Sequence, residues 1–356
     1  MLDRRQGKGL IIMGDVISVG IIGCGWPGEA HARGYEAAGG FRIAAVADLI
    51  PQRRAALLRQ FPGAREYAAA EDLLKDGSID AVSVCLPTHL HAPVTLTALR
   101  AGKHVVCERP PALNVREAVR MNAAAARAQR VLLYAFQRRF GGHEQAARTA
   151  IAGGLIGEPY HVRAAWTRTR GIPIGTGWYA RRQTSGGGAL ADVGAAMLDL
   201  AWFLLGQPRP LSVFGVTHSR LMGRSSGDVP GDVEDAAFAL IRCEGGKSIE
   251  LAASWALNQP ETQNGTACRV HGTSGAIEVY TPHGSVLYRD FRADGQCRQN
   301  PLKPPKTTHH HALMRHFRQC IAGRTAPVCG GAEGVLIMRM LHAIYRSAER
   351  GRSANV

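Results

Sequence analysis

The segment VISVGIIGCGWPGEAHARGYEAA, residues 16–38, restricts the fold more than any other part of the chain. Its first seven residues are apolar except Ser18 and rich in β-branched side chains, which suits a strand buried on both faces of a parallel sheet. Gly23, Gly25 and Gly28 then spell G-x-G-x-x-G at the mouth of a helical stretch. The first glycine permits a tight turn, the second lets backbone approach a pyrophosphate, and the third lets the helix pack on the strand. The opening of that helix, with Trp26 and Pro27, presents amide donors and a positive dipole end to phosphate. A second strand, FRIAAVAD, ends at Asp48, twenty residues past Gly28. A carboxylate there accepts from ribose hydroxyls, so NAD is expected ahead of NADP. Arg53 and Arg54 follow closely, and arginine is the residue type that takes a 2′-phosphate, which keeps NADP as the alternative.

The alternation continues. AREYAAAEDLLKDG reads as strand and helix, IDAVSVCLP as strand, HLHAPVTLTALRAG as helix, KHVVCERP as strand, NVREAVRMNAAAARAQ as helix and RVLLYAFQRRF as strand. Such repetition predicts a doubly wound parallel sheet with its ligand beyond the carboxyl ends of the strands. Those ends carry Leu86, Pro87, Thr88, Glu108, Arg109 and Gln137, which are expected to contact the cofactor. His91, three residues after Thr88, is expected to cap or pack beside it.

After Phe140 the pattern becomes mainly strand with glycine-containing turns, and two helical segments close the chain near 311–323 and 332–350. The expected fold is therefore α/β, with three parts: an N-terminal extension over 1–14, a Rossmann dinucleotide-binding domain over 15–139, and an α+β domain over 140–356 with a large, mostly antiparallel sheet. An open sheet face of this kind predicts a homo-oligomer, a dimer or a tetramer. Between the two parts lies GGGALADVGAAMLDL, residues 186–200, where Asp192 stands either at a substrate or as the cap of a helix. Just before it, WTRTRGIPIGTGWYARRQ carries Arg168, Arg170, Arg181 and Arg182. Arginines on a site rim favour an anionic ligand; a solvated loop is the alternative.

The formal charge of +15 belongs to arginines scattered through periodic segments rather than to a tail, and no nucleic-acid-binding motif accompanies it. Neither nucleic acid nor membrane is an expected partner. LIIM near the N-terminus is too short for a signal core or a span. The eight cysteines lie apart, with no C-x-x-C pair, as expected of reduced thiols in the cytoplasm. THHHAL, residues 308–313, reads as a loop, and no metal site is expected from it.

Several segments in order resemble the glucose–fructose oxidoreductase/inositol dehydrogenase family (Gfo/Idh/MocA): VGIIGCGWPGEAH, CLPTHLHAPVTLTALRAGKHVVCERPPALN, GGGALADVGAAMLDL, VEDAAFALIRCEGG, VHGTSGAIEV and AIYRSAERG. The resemblance runs from about Val16 to Arg352. It implies reversible hydride transfer between NAD(P) and a carbinol carbon of a sugar or cyclitol. It also implies a Lys after Glu108 to hold the substrate oxygen, and a His or Tyr four residues after Asp192 to move the hydroxyl proton. This chain has Arg109 and Ala196 at those places. Arginine keeps the charge without cycling through a neutral form, and alanine does not titrate.

The expectation is thus an NAD(P)-dependent oxidoreductase with a rewired proton path. Arg109 and Asp192 are its catalytic candidates. Tyr179 is a replacement proton carrier or, alternatively, a packing aromatic. Arg168, Arg170, Trp178, Arg181 and the space at Ala196 would meet the substrate. A dinucleotide-binding sensor without turnover, and an enzyme running a net non-redox reaction through tightly held NAD, remain as alternatives.

Overall fold

The structure is a computed structural model that describes residues 16–173, 177–222, 231–281 and 284–356. The extension expected over residues 1–14 lies outside them. The first layer contains, in chain order, β1 (Ile17–Ile22), α1 (Trp26–Ala38), β2 (Phe41–Ala47), α2 (Pro51–Gln60), β3 (Arg65–Tyr67), α3 (Ala70–Lys75), β4 (Ala81–Val84), α4 (Thr88–Arg100), β5 (His104–Cys107), α5 (Val115–Ala128) and β6 (Leu132–Tyr134). The strands form one parallel sheet in the order β3-β2-β1-β4-β5-β6. Every residue of β1 and β4 is buried, which is why these strands read as continuous apolar runs rather than alternating ones. The chain reverses its direction of travel across the sheet between β1 and β4. The crevice beyond their carboxyl ends, at Gly23 and Leu86, is therefore where an α/β sheet of this type takes a ligand. The strand expected to run through Phe140 stops at Tyr134, and Gln137–Phe140 form a single 3₁₀ turn.

The second layer follows with α6 (Gly142–Ala152), β7 (Pro159–Thr167), α7 (Arg182–Ser185), α8 (Ala195–Leu204), β8 (Pro210–His218), β9 (Ala236–Cys243), β10 (Ser248–Ser254), β11 (Gly265–Gly272), β12 (Gly275–Thr281), β13 (Gly284–Arg289), β14 (Arg298–Pro301), α9 (His309–Ile321), α10 (Gly331–Arg350) and β15 (Ala354–Asn355). Nine strands make the sheet β14-β13-β12-β11-β7-β10-β9-β8-β15, in which only the β10–β7 pair is parallel. One face is covered by α8 and α10. The other leaves Phe214, Val216 and Leu240 exposed at neighbouring positions, with Phe214 opposite Leu240 and Val216 opposite Phe238. The segment 182–204 is long and apolar enough to cross a membrane by composition, but 94% of its apolar window is buried inside this fold.

Three features join the layers. Helix α9 lies against α1, and α10 lies against α5. Arg139, after β6, is wholly buried and reaches both carboxylate oxygens of Asp199 in α8, at 2.8 and 2.6 Å. All eight cysteines are free. Burial raises the thiols of Cys24 and Cys268 to about 12, as befits inert core residues.

Candidate active site

The glycine turn leaves its ligand side open, which is the geometry a diphosphate needs. Gly23 has a φ of +93°, and a Cβ there would collide with the Cys85 carbonyl. A Cβ at residue 28 would strike the Gly23 carbonyl, whereas one at residue 25 would meet only the Pro27 ring at 3.9 Å. The turn is thus closed on the protein side and open where a ligand approaches. No side chain caps α1, whose N-cap is Gly25 and whose first turn includes Pro27. Its first amides therefore remain for an anion. Asp48 accepts from the Cys24 amide at 2.8 Å and the Ile50 amide at 2.9 Å, which fixes the carboxylate beside the turn. Arg54 is tied to the Asp48 carbonyl and to Glu66, both at 2.6 Å. These residues fit a dinucleotide whose ribose meets Asp48.

Glu108 and Arg109, at the end of β5, form the floor between the layers. Glu108 lies 3.1 Å from His31 of α1 and accepts from the Arg109 amide at 3.1 Å. Burial pushes its carboxyl up, but His31 and Arg109 outweigh that and hold it at about 2. His310 of α9 brings a ring nitrogen within 4.8 Å of both Glu108 and His31. Its Nε2 is buried without a partner, and burial lowers the imidazole to about 4.

Arg109 spans the gap to the second layer. Its Nη1 donates to the Asp192 carboxylate at 3.1 Å and to the Asp192 carbonyl at 2.8 Å, while its Nε is buried with no partner. Trp255, fully buried after β10, donates its indole N–H to the other Asp192 oxygen at 2.9 Å. Asp192 therefore caps no helix: its carboxylate is held by a cation and an indole. It sits in a π turn, Leu190–Gly194, that runs into α8.

The glycines before Asp192 explain that placement. A Cβ at residue 188 would collide with the Glu234 carbonyl, and one at residue 187 with the Tyr345 hydroxyl. The Glu234 carboxylate accepts from the Gly188 and Leu190 amides and the Tyr345 hydroxyl, each at 2.9 Å. A buried side chain thus satisfies the amides at the start of the π turn. Burial raises the Glu234 carboxyl, which those donors partly offset.

A cavity of about 270 Å³ opens between the layers, lined by Trp26, Arg109, Phe136, Gln137, Arg138, Trp166, Ala196, Thr308, His309 and His310. Its size approaches the lower end, about 300 Å³, of small-ligand pockets. A smaller recess of about 20 Å³ on the far side of Arg109 gathers Thr88, Trp178, Tyr179 and Asp192. There Tyr179 stacks on Trp178 with ring centres 3.7 Å apart. Burial, then the Asp192 charge, raises its phenol to about 12. A wider depression of about 1110 Å³ between α6 and α9 contains none of the residues expected at the site. The motif chemistry, not volume, marks the functional cleft.

The structure therefore brings Trp26, Arg109, Gln137 and Ala196 to one cavity and Thr88, Trp178, Tyr179 and Asp192 to its neighbour. Four expectations are corrected. His91 is only 1% exposed, and its two ring nitrogens lie 2.8 Å from the Pro110 and Leu86 carbonyls. The ring ties the β4 and β5 exits together and has no edge left for a cofactor. Arg170 and Arg181 are exposed and line neither space. Arg170 instead binds the Thr169 and Leu257 carbonyls and Asn258. Arg168 lies over Trp166 at 5.2 Å and donates to Gly171, and Arg182 lies over Tyr345. Finally, the histidine run is not a loop. Thr308 caps α9 by accepting from the His311 amide, and His309 and His310 enter the cavity wall. Arg138, whose guanidinium lies 4.4 Å from the Trp166 ring centre, and Trp255 also belong to the site without having been expected there.

Residues 17–136 match the model of an oxidoreductase family with an NAD-binding Rossmann fold, and residues 145–278 match the GFO/IDH/MocA C-terminal domain. The chain belongs to this Gfo/Idh/MocA oxidoreductase family. It is 30% identical to inositol 2-dehydrogenase of Rhizobium meliloti, covering 96% of this chain and 99% of that one. It is 29% identical to D-glucoside 3-dehydrogenase of Escherichia coli, over 94% and 96%. It also superposes on a crystal structure of aldose-aldose oxidoreductase from Caulobacter crescentus, complexed with glycerol, with a TM-score of 0.81 at 26% identity, over 96% and 99%.

Proposed function

We propose that this protein is an NAD-dependent dehydrogenase acting on a secondary hydroxyl of a sugar, cyclitol or related polyol, with its proton path moved away from residue 196. The observation that carries the reading is the convergence of the open glycine turn, Asp48, and the Arg109–Asp192–Trp255 cluster on one interlayer cleft. Support for the substrate class comes from the relatives, which act on inositol and D-glucosides. NAD is favoured over NADP because Asp48 faces the ribose position while Arg54 is engaged with Glu66. When bound, the dinucleotide supplies the hydride acceptor or donor.

The chain's residues do the rest. The Gly23–Gly28 turn and the α1 amides hold the diphosphate, Thr88, Glu108 and Gln137 flank the remainder, and Arg109 polarises the substrate oxygen as charge develops on it. Asp192 keeps the guanidinium in place. Ala196 leaves room where a ring side chain would stand. Among the described residues the cavity lining holds the cations Arg109 and Arg138 and no carboxylate, which favours substrates carrying an acidic substituent. A second copy of the chain covers the open sheet face at Phe214, Val216 and Leu240, and the eight free thiols suit the cytoplasm. The test is NAD⁺ and NADP⁺ titration followed by turnover on myo-inositol, methyl glucoside and glucuronate. Tight NAD⁺ binding with reduction by at least one polyol is expected. Binding with no reduction by any would overturn the reading. Light scattering showing only monomer at micromolar concentration would remove the second copy.

A further inference from the structure

His309, on the cavity wall, belongs to a titratable dyad that the resemblance does not assign. His309, the first residue of α9, places its Nε2 2.8 Å from Glu144 of α6. Glu144 is 1% exposed, so a charge has been taken out of water to meet this ring. The same carboxylate oxygen accepts the Tyr280 hydroxyl. Tyr280 holds a φ of +68°, a left-handed conformation that a bulky residue adopts only when its surroundings enforce it. Burial alone would raise the Glu144 carboxyl, but His309 and Tyr280 outweigh it and hold it below its usual value.

We propose that His309 accepts the substrate's hydroxyl proton, with Glu144 as its positioning residue. The carboxylate fixes the tautomer: Nε2–H donates to Glu144, so the lone pair lies on Nδ1. The ring lines the same cavity as Arg109 and Ala196. In the oxidation direction the O–H proton passes to Nδ1, and the hydrogen on carbon leaves with its electron pair for the oxidised nicotinamide dinucleotide. The C–O bond becomes a carbonyl, and the charges balance. The groups facing the dyad are the Tyr280 hydroxyl of β12, Arg138 over the Tyr280 ring at 5.1 Å, His310 of α9, and Arg109 across the cavity. The inference rests on the dehydrogenase reading, because it supplies the base that Ala196 lacks.

The experiment compares the wild type with His309→Asn, His309→Ala and Glu144→Gln, using NAD⁺ with methyl glucoside and myo-inositol, and NADH binding by fluorescence. His309→Asn is expected to lower kcat by about 10²–10⁴-fold, with little change in KM or in NADH affinity. The rise of wild-type kcat with pH is expected to vanish, and added imidazole to restore part of the rate in His309→Ala. Glu144→Gln is expected to lower kcat less and to shift the pH profile. An active wild type alongside an equally active His309→Asn overturns this proposal alone. So does a slow variant that keeps the wild-type pH profile and is not rescued, because that makes the dyad a structural clamp. A wild type that binds NADH but oxidises neither substrate overturns the dehydrogenase reading, and this proposal with it.

Discussion

Replacing Arg109 by Met keeps the stem's volume and removes the guanidinium. Two hydrogen bonds from the charged guanidinium disappear, one to the Asp192 carboxylate and one to the Asp192 carbonyl, each worth about 1.5–3 kcal/mol. The buried, unpaired Nε disappears as well, which returns about 1–3 kcal/mol. At the middle of those ranges the net loss of folding stability is about 2–3 kcal/mol, with Trp255 still holding Asp192. Turnover should suffer more: removing a positioned donor at a developing oxyanion costs about 10²–10³ in kcat. NADH affinity should change by less than about 3-fold, under 0.7 kcal/mol. Urea unfolding followed by tryptophan fluorescence, NADH titration and initial rates on one preparation supply the three numbers. Equal losses of affinity and turnover would refute the argument and assign the guanidinium to the cofactor. Unchanged turnover would take Arg109 out of the chemistry altogether.

Three further outcomes follow from the same geometry. Ala196→His alone is expected to leave sugar dehydrogenase rates near those of the wild type, since Arg109 stands where the motif implies a Lys and the site is not arranged around a base at 196; a large gain would mean that only the base had been removed. Gly188→Ala forces a methyl against the Glu234 carbonyl and should cost about 3 kcal/mol in urea unfolding, the upper end for overpacking; a neutral result would mean the π turn adapts freely. Glu108 lies at about 2 against an ordinary 4.5, so it contributes about 3 kcal/mol that is complete above pH 4.5 and lost as pH falls through that interval. His310, lowered to about 4, costs stability as pH falls from 6.5 to 4, because the unfolded chain takes up that proton more readily. Glu108→Gln should flatten the lower part of the stability–pH curve alone; parallel wild-type and variant curves would contradict the assignment.

Much of this arrangement was legible in the residues. The buried strand, the glycine turn and Asp48 are local: their spacing alone dictates where backbone and carboxylate lie. Arg109 and Asp192 stood out because short motifs mark their positions, Asp192 as the expected residue and Arg109 where a Lys is implied. What escaped was set by long-range packing. The histidine run carries no apolar period of its own and reads as a loop, yet Thr308 caps a helix there and the contact of α9 with α1 turns two imidazoles into the cleft. Trp255 and Glu234 look like ordinary strand and turn residues until the π turn is laid across them. The arginines of 168–182 misled for the opposite reason, since charge density reads the same on a site rim and on a solvated loop.

On the proposed reading, this cleft moves a hydride from a carbinol carbon although residue 196 is alanine. The most direct measurement incubates the wild-type protein with NAD⁺ and either methyl glucoside or myo-inositol deuterated at carbon, and weighs the reduced dinucleotide by mass spectrometry. NADH heavier by one deuterium is expected with at least one of the two. NADH binding without deuterium transfer from either would contradict it.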